Sequence, residues 1–373
     1  MKILVAGDFC PQYRVAELFE RKDFASVLKE VKGVIEQYDY PIVNFECPVR
    51  LGGEKPNLDR LSLFCSENGM EAAAYAGFKC LTLANNHFRD WGGGGVVSTL
   101  STCEKLKLDH VGGGADLKKA SETLYKEIGG KVLAIINCCE HEFSLATTSR
   151  GGSNPLDLVA QFNAIQEAKS QADFTIVIVH GGHEHYQLPS PRMVESYRFF
   201  VDAGADAVVN HHQHCVSGYE IYKDRPIFYG IGNFCFDMKT PPTKMWHTGY
   251  MVGLEFLGGK VNFEIHPYTQ CEEKATISLI NKNVLRAELD SLNAVIGNAA
   301  RLREEADKYY EQSMNDVRKV INPLLNVRYI SRLYRKGLIP DIITKRWLMY
   351  LCNYTMCESH RDKMDYFFEH NMY

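Results

Sequence analysis

FTIVIVHGGHEH at residues 174–185 and DAVVNHHQH at 206–214 hold six of the chain's thirteen histidines. Each stretch opens on a short apolar run rich in β-branched residues and closes on polar side chains. A run of this length, apolar throughout, reads as a strand covered on both faces. The same texture recurs outward from here. Strands are predicted at 2–7, 41–45, 79–84, 131–138, 219–222 and 226–231, beside 174–180 and 206–210. Helical segments lie between several of them. Asn154 and Pro155 read as the cap and first position of a helix reaching about Gln171. Another is expected from Pro191 to Ala203, with Gly204 as its stop. This alternation predicts an α/β domain. Segments 250–256 and 260–265, separated by Leu-Gly-Gly, read as a hairpin.

The histidines fall where an α/β sheet places its ligands. His180 directly follows FTIVIV, and the HHQH run at 211–214 follows DAVVN. Both therefore lie at carboxyl ends of strands, where ligand sites form. The same test selects Asp8 after ILVAG, Glu46 after PIVNF, and Asn85, Asn86 and His87 after LTLA. A single histidine is more often a satisfied core or surface residue. Five strand ends presenting Asp, Glu, Asn or His together point to a metal site. Imidazole suits zinc, iron and similar ions, while carboxylates and amide carbonyls add hard oxygen ligands. A carboxylate can also bridge two ions, and a two-metal site stabilises the attacking and leaving oxygens of an in-line displacement.

Other chemistries find less support. His141-Glu142 begins like a zincin helix, but Leu145 stands where the second histidine must be. Neither Gly92–Gly95 nor Gly112–Gly114 carries the Gly-Lys-Ser/Thr ending of a phosphate-binding loop, and Gly92–Gly95 is expected to be a tight turn. No Gly-x-Ser-x-Gly elbow occurs.

The chain has 373 residues, 45% of them hydrophobic and 24% charged, as in ordinary globular proteins. That length fits two domains, or one with an extension. The net charge of −4 excludes an overall basic nucleic-acid binder, so no nucleic-acid partner is expected. No apolar run approaches the ~18 residues of a membrane span. The apolar start reaches Asp8 too soon for a signal core and is expected to be a first strand. The twelve cysteines include no Cys-x-x-Cys pair, and reduced, packed thiols in a cytoplasmic protein are expected. After about 275 the texture turns helical and rich in Arg, Lys, Tyr and Leu. The expected division is therefore 1–275 and a helical extension over 276–373. Residues 318–346 carry eight basic side chains and one acidic. Such a stretch can lie on an anionic membrane surface or bind a polyanion, the plainer alternative being a solvated helix face.

The order of these pieces resembles the poly-γ-glutamate capsule-synthesis (CapA-type) family of the calcineurin-like metallophosphoesterase superfamily. The resemblance covers about residues 1–240. It rests on Gly7-Asp8, VNFE at 43–46, LANNHFRDWGGGG at 83–95, HGGHE at 180–184, DAGADAVVNHHQH at 202–214 and PIFYGIGNFCFD at 226–237. It implies a four-layer α/β/β/α sandwich of two mixed sheets, with two divalent ions (Mn, Fe or Zn) held by loops at strand ends. It implies Asp8, Asn86, His180, His212 and His214 as ligands, with Glu46 in the place of a bridging aspartate. His87 matches the residue that faces the leaving group, a general acid for the departing alkoxide. Two residues after Asp8 the superfamily usually has a histidine; this chain has Cys10, expected to be a packed thiol.

Asp90 is expected to orient the Asn-His loop. Arg192 and Arg198 follow His180 closely enough to reach an anionic substrate, and Arg198 is carried as a catalytic candidate. Asn85, Glu184, His211 and Asn233 are further candidates for substrate contact. The expected activity is metal-dependent hydrolysis of a phosphoester in a phosphorylated or polyanionic substrate of surface-polymer synthesis. It is expected in the cytoplasm or at the inner face of the membrane. Amide or acyl-phosphate chemistry on a polyanion, and a non-catalytic assembly role that binds polymer, are the alternatives.

Overall fold

Strand β1 (Lys2–Phe9) alternates its side chains between two cores. In the computed structural model, which describes residues 1–52, 56, 62–320, 333, 336, 338 and 344–371, Leu4 and Ala6 face helices while Ile3 and Val5 face a second sheet. Successive strand side chains point to opposite faces, so burial on both sides demands an apolar run. Beside β1 lie β2 (Tyr40–Phe45), β3 (Cys80–Thr82) and β4 (Asp109–Val111), all parallel. After the short pair β5 (Gly113–Gly114) and β8 (Gly152–Ser153), the second sheet has β6 (Leu124–Ile128), β7 (Lys131–Cys139), β9 (Phe174–His180), β10 (Ala207–His211), β11 (Tyr219–Tyr222) and β12 (Arg225–Phe228). Its order is β11-β12-β10-β9-β7-β6, parallel through β12-β10-β9-β7 with an antiparallel strand at each edge. The first sheet is completed by β13 (Asn233–Cys235), β14 (Thr248–Leu257), β15 (Lys260–Gln270) and β16 (Ile277–Leu279). Its order is β16-β15-β14-β1-β2-β3-β4, with β13 pairing the end of β1.

The apolar residues sort into the layers this arrangement requires. Between the sheets pack Ile42, Ile135, Ile176, Ile178, Val209 and Val252. On the outer face of the first sheet lie α1 (Tyr13–Glu20), α2 (Ala25–Ile35), α3 (Glu67–Ala76) and α4 (Gly92–Leu106), through Phe19, Leu28, Met70 and Val96. Beyond the short α5 (Leu117–Ala120), the second sheet is covered by α6 (Leu158–Gln171) and α7 (Pro191–Ala203), through Ile165, Met193 and Phe200. The result is the expected four-layer α/β/β/α sandwich of two mixed sheets.

Several local expectations change. Helix α6 opens at Leu158, capped by Asp157, whose side chain accepts from the Ala160 N–H. Asn154 and Pro155 instead run beside β7, where the Cys139 N–H donates to the Asn154 carbonyl. Gly92–Gly95 forms the first turn of α4 rather than a separate tight turn, and a Cβ on Gly95 would press on Trp91 and Pro48 at 3.0–3.2 Å. Helix α7 begins at Pro191 behind a Ser190 cap and ends at Gly204, as expected. The β14–β15 turn uses Gly258 and Gly259, both at positive φ, as a two-residue hairpin requires.

The expected boundary near 275 falls inside the first sheet, between β15 and its partner β16. Beyond them α8 (Asn283–Ile296) adds Leu285 and Leu289 to the core between the sheets. One compact unit therefore extends from Met1 to Leu302, and a second covers Arg303–Tyr373. Helix α9 (Ala299–Val320) runs across that division. In the second unit Ala306, Tyr310 and Met314 of α9 pack with Met364 of α11 (Glu358–Asn371), which follows α10 (Lys345–Met356). The basic stretch 318–346 lies largely outside the described residues. Among the described residues no helix is long and apolar enough to cross a membrane.

The pairing of β13 with β1 depends on one glycine. The register of β1 against β2 shifts between Ala6 and Asp8, and a Cβ on Gly7 would lie 1.9 Å from the Gly232 carbonyl oxygen. Gly7→Ala should lower stability by about 3 kcal/mol or more, as overpacking against backbone does. Gly33, exposed in α2 with nothing within 4 Å of its Cβ position, should gain up to ~1 kcal/mol as alanine. Urea unfolding of both variants measures this; equal effects would show that the Gly7 contact relaxes freely.

Candidate metal centre

Parallel pairing aligns the strand ends. Asp8 sits on β1 and Glu46 one residue beyond β2; Asn85, Asn86 and His87 follow β3. His180 is the last residue of β9, and His212 and His214 follow β10. Contacts between the two sheets close the cluster. His214 Nδ1 lies 3.3 Å from Asp8 Oδ2, and its Nε2 lies 3.6 Å from Glu46 Oε1. His180 Nε2 lies 3.4 Å from Glu46 Oε1, 3.1 Å from Asn86 Oδ1 and 3.0 Å from His212 Nδ1. Within this cluster two groups of potential ligand atoms emerge, Asp8-Glu46-His180 and Glu46-His212-His214. Glu46 is common to both.

The electrostatics fit a cation. Both Glu46 carboxylate oxygens are buried, and neither has a hydrogen-bond partner among the described residues. Burial pushes Glu46 well above the usual carboxylate range, and the neighbouring Asp8 charge adds to it. An orphaned carboxylate of this kind is costly unless a positive charge compensates it. Burial opposes ionisation of Asp8 as well, but the bond from His214 and the charge of His211 hold it below its ordinary value. Burial and the surrounding imidazoles push His180 far down, leaving it neutral and ready to ligate. Burial works against His214, yet Glu46 and Asp8 lift it to about 10. The residues present fit divalent ions, with nitrogen and oxygen donors and one shared carboxylate.

Asp90 organises the loop after β3. Its Oδ2 accepts from the Leu63 N–H at 2.8 Å and lies 2.6 Å from His87 Nδ1. A carboxylate only accepts, so Nδ1 carries the proton and Nε2 is left for a reacting group. Cys10 is a packed thiol in the helix-side core, and burial pushes it up to about 11, so it supplies no ready thiolate.

Other candidates for substrate contact are placed differently. The Arg198 fork is taken by Glu220, at 2.6 and 2.9 Å, so the catalytic role expected for it is not supported. Arg192 donates to the buried Glu140 at 2.7 Å and is a structural partner. Asn85 is fully buried; it donates to the Phe45 carbonyl and accepts from the His87 N–H, which fixes the loop instead of meeting substrate. His211 is buried with Nε2 3.0 Å from the Ala6 carbonyl oxygen. Asn233 is also fully buried, with Oδ1 2.9 Å from His214 Nδ1, and it orients that ring. Glu184 alone of this group is half-exposed, 3.8 Å from His185.

Three contributors were not anticipated. Asn44 donates to Asp8 Oδ1 at 2.7 Å and lies 3.2 Å from His180 Nδ1, linking the two sheets. Glu142 Oε1 lies 3.6 Å from His212 Nε2. Glu140 accepts from Arg192 beside the His180 backbone. The strand-end test applied to β7 would have selected Glu140 and Glu142. Asn44 faces inward from within β2, where no polar residue is expected and its presence was the available signal.

A model of the family described as bacterial capsule synthesis protein PGA_cap matches residues 2–238. The chain belongs to this family. It is 33% identical over 253 residues to the capsule biosynthesis protein CapA of Bacillus anthracis, covering 65% of this chain and 62% of that one. It is 32% identical over 235 residues to the PGA biosynthesis protein CapA of Bacillus subtilis, covering 62% of each. The chain thus spans less than two thirds of the length of these relatives. A solved structure described as a novel phosphatase from Mycoplasma pneumoniae aligns with a TM-score of 0.45 at 17% identity, covering 73% of this chain and 95% of that one.

The Glu140–Arg192 pair gives a pH-dependent expectation. Burial opposes the charged carboxylate, but the Arg192 cation outweighs it and holds Glu140 down to about 2. Arg192→Gln should therefore cost about 3 kcal/mol near neutral pH. Because the folded value is depressed, this contribution is complete above the ordinary glutamate value and is lost as pH falls toward 2. Unfolding of both proteins across that range measures it; a constant difference would remove the ion pair as its source.

Proposed function

We propose that this member of the capsule synthesis family is a metal-dependent hydrolase, cleaving a phosphoester of a phosphorylated or polyanionic substrate in capsule or polyglutamate synthesis. The observation that carries the reading is Glu46, a buried carboxylate without hydrogen-bond partners that belongs to both potential ligand groups. Asp8, His180 and Asn86 would hold one divalent ion and His212 and His214 another, with Glu46 shared. Such ions supply an activated water and neutralise charge on phosphoryl oxygens. The relatives' names place their own role in capsule and PGA biosynthesis, and this supports a polyanionic substrate.

The chain's own residues do the rest. His87 presents Nε2 from a loop braced by Asn85 and Ser153, and Asp90 fixes its ring through Nδ1. With Nδ1 held by Asp90, it is the doubly protonated ring of His87 that would give its Nε2 proton to the departing oxygen, the Asp90 carboxylate stabilising that cation and the neutral ring being left behind. Asn44 holds Asp8 and His180 in mutual register, and Asn233 does the same for His214.

The test measures metal content by elemental analysis and turnover of aryl phosphate mono- and diesters with added manganese. About two ions per chain are expected. His212→Ala with His214→Ala should lose metal and turnover together. His87→Asn should keep the metal and lose about 10²–10⁴-fold in kcat, the usual range for a general acid. Turnover unaffected by the double substitution, or no metal retained after reconstitution, would sink the reading.

A further inference from the structure

The arginines of the larger unit differ in how their charge is met. Arg14, Arg192, Arg198 and Arg225 each pair with a carboxylate, at 2.6–3.1 Å. Arg89 and Arg150 do not; among the described residues their side chains meet only backbone carbonyls. Arg89 Nη1 donates to the Gly151 carbonyl at 2.8 Å, and Arg150 Nη2 donates to the Leu145 carbonyl at 3.1 Å. One short loop, 144–151, therefore holds both guanidiniums. Arg89 is half-buried and Arg150 exposed.

This loop is also bound to the Asn-His loop. Ser144 Oγ donates to the Asn86 carbonyl at 2.6 Å, and the Arg89 N–H donates to Ser144 Oγ at 3.0 Å. Arg89 stands two residues after His87. Burial, and then the Arg150 cation, hold the Arg89 guanidinium below its ordinary value. Both guanidiniums are anchored to carbonyls of the same loop, at Gly151 and Leu145, and an anion bound by both would offset their mutual repulsion. A guanidinium has five N–H donors, so each keeps most of its fork free after one bond to a carbonyl. That fork matches the paired oxygens of a phosphate or carboxylate.

We propose that Arg89 and Arg150 form an oxyanion subsite beside the Asn86-His87 loop, which takes a second phosphate or carboxylate group of the substrate. It rests on the hydrolase reading only in treating the bound molecule as a substrate. The subsite would seat a polyanion on the His87 flank of the metal centre, where the leaving portion departs. Its occupancy is transmitted to Asn86 and His87 through Ser144, so binding there positions the reacting groups.

The test is calorimetric titration of the full chain, stripped with chelator, with pyrophosphate and with tricarballylate. At least one probe should bind, more weakly as salt rises. Arg89→Gln and Arg150→Gln should each weaken it about tenfold, the value of a charge-assisted hydrogen-bond pair. Arg89→Lys and Arg150→Lys keep the charge without the fork and should fall between; they also serve if a glutamine variant does not fold by circular dichroism. Preference for one probe identifies phosphate or carboxylate as the natural group. Binding equal to the parent in the folded variants, or no binding of either probe by the parent, overturns the subsite. No turnover is read, so failure of the hydrolase reading leaves this result standing. Loss of arginine dependence removes the subsite even from an active enzyme.

Discussion

The Glu46 carboxylate sets the terms for the rest of the molecule. It is fully buried where two sheets meet, and its oxygens accept no hydrogen bond among the described residues. A charge in such a place costs several kcal/mol unless another charge answers it. The imidazoles of His180 and His214 approach one oxygen, at 3.4 and 3.6 Å, but their separations exceed hydrogen-bonding distance. Asp8, the second carboxylate, is already satisfied by Asn44, so the deficit is concentrated on Glu46.

The two-sheet sandwich is what makes that concentration possible. A single sheet would bring Asp8 and Glu46 together, or His180 and His212, but not both pairs. Packing Ile3 and Val5 of one sheet against Ile176, Ile178 and Val209 of the other brings the two sets of strand ends to one point. The glycines at positions 7 and 232 then let β13 lie against β1 closely enough for Asn233 to reach His214. Core packing and ligand geometry are consequently one problem, since a displaced sheet would separate the ligands.

Much of this was legible in the sequence, for a physical reason. Strands buried on both faces must be apolar throughout, so a polar residue at their end stands out, and Asp8, Glu46, His180 and the HHQH run were all found that way. The α/β class followed from the same runs, whereas the four-layer sandwich was implied by the resemblance to the capsule-synthesis family. The side-chain roles of Asn85, His211 and Asn233 were not legible, because an amide or imidazole that braces a loop looks the same in sequence as one that meets a ligand. Arg198 was misplaced because helical spacing does not reveal a carboxylate on a neighbouring strand, here Glu220 on β11. The boundary at 275 failed for a related reason. Composition turns polar there, but β16 and α8 still bury Ile277, Leu285 and Leu289 in the first unit.

Backbone strain shows what the site demands of the fold. His185, His212 and His214 lie at φ 62°, 88° and 54°, in the left-handed region that side chains with a Cβ seldom adopt. Each such residue costs about 1–3 kcal/mol and persists only where surrounding bonds enforce it. The enforcement is visible. The His185 N–H donates to the Gln213 carbonyl, and the Gln213 amide donates to the Tyr186 and Leu188 carbonyls. Glycine would relieve the strain at 212 or 214 and remove the imidazole, so the strain belongs to the ligand geometry and has no separate structural use. The orphaned Glu46 carboxylate and the left-handed histidines are both costs that the surrounding packing and hydrogen bonds must carry. The fold therefore carries these costs at the one point where the strand ends of both sheets meet.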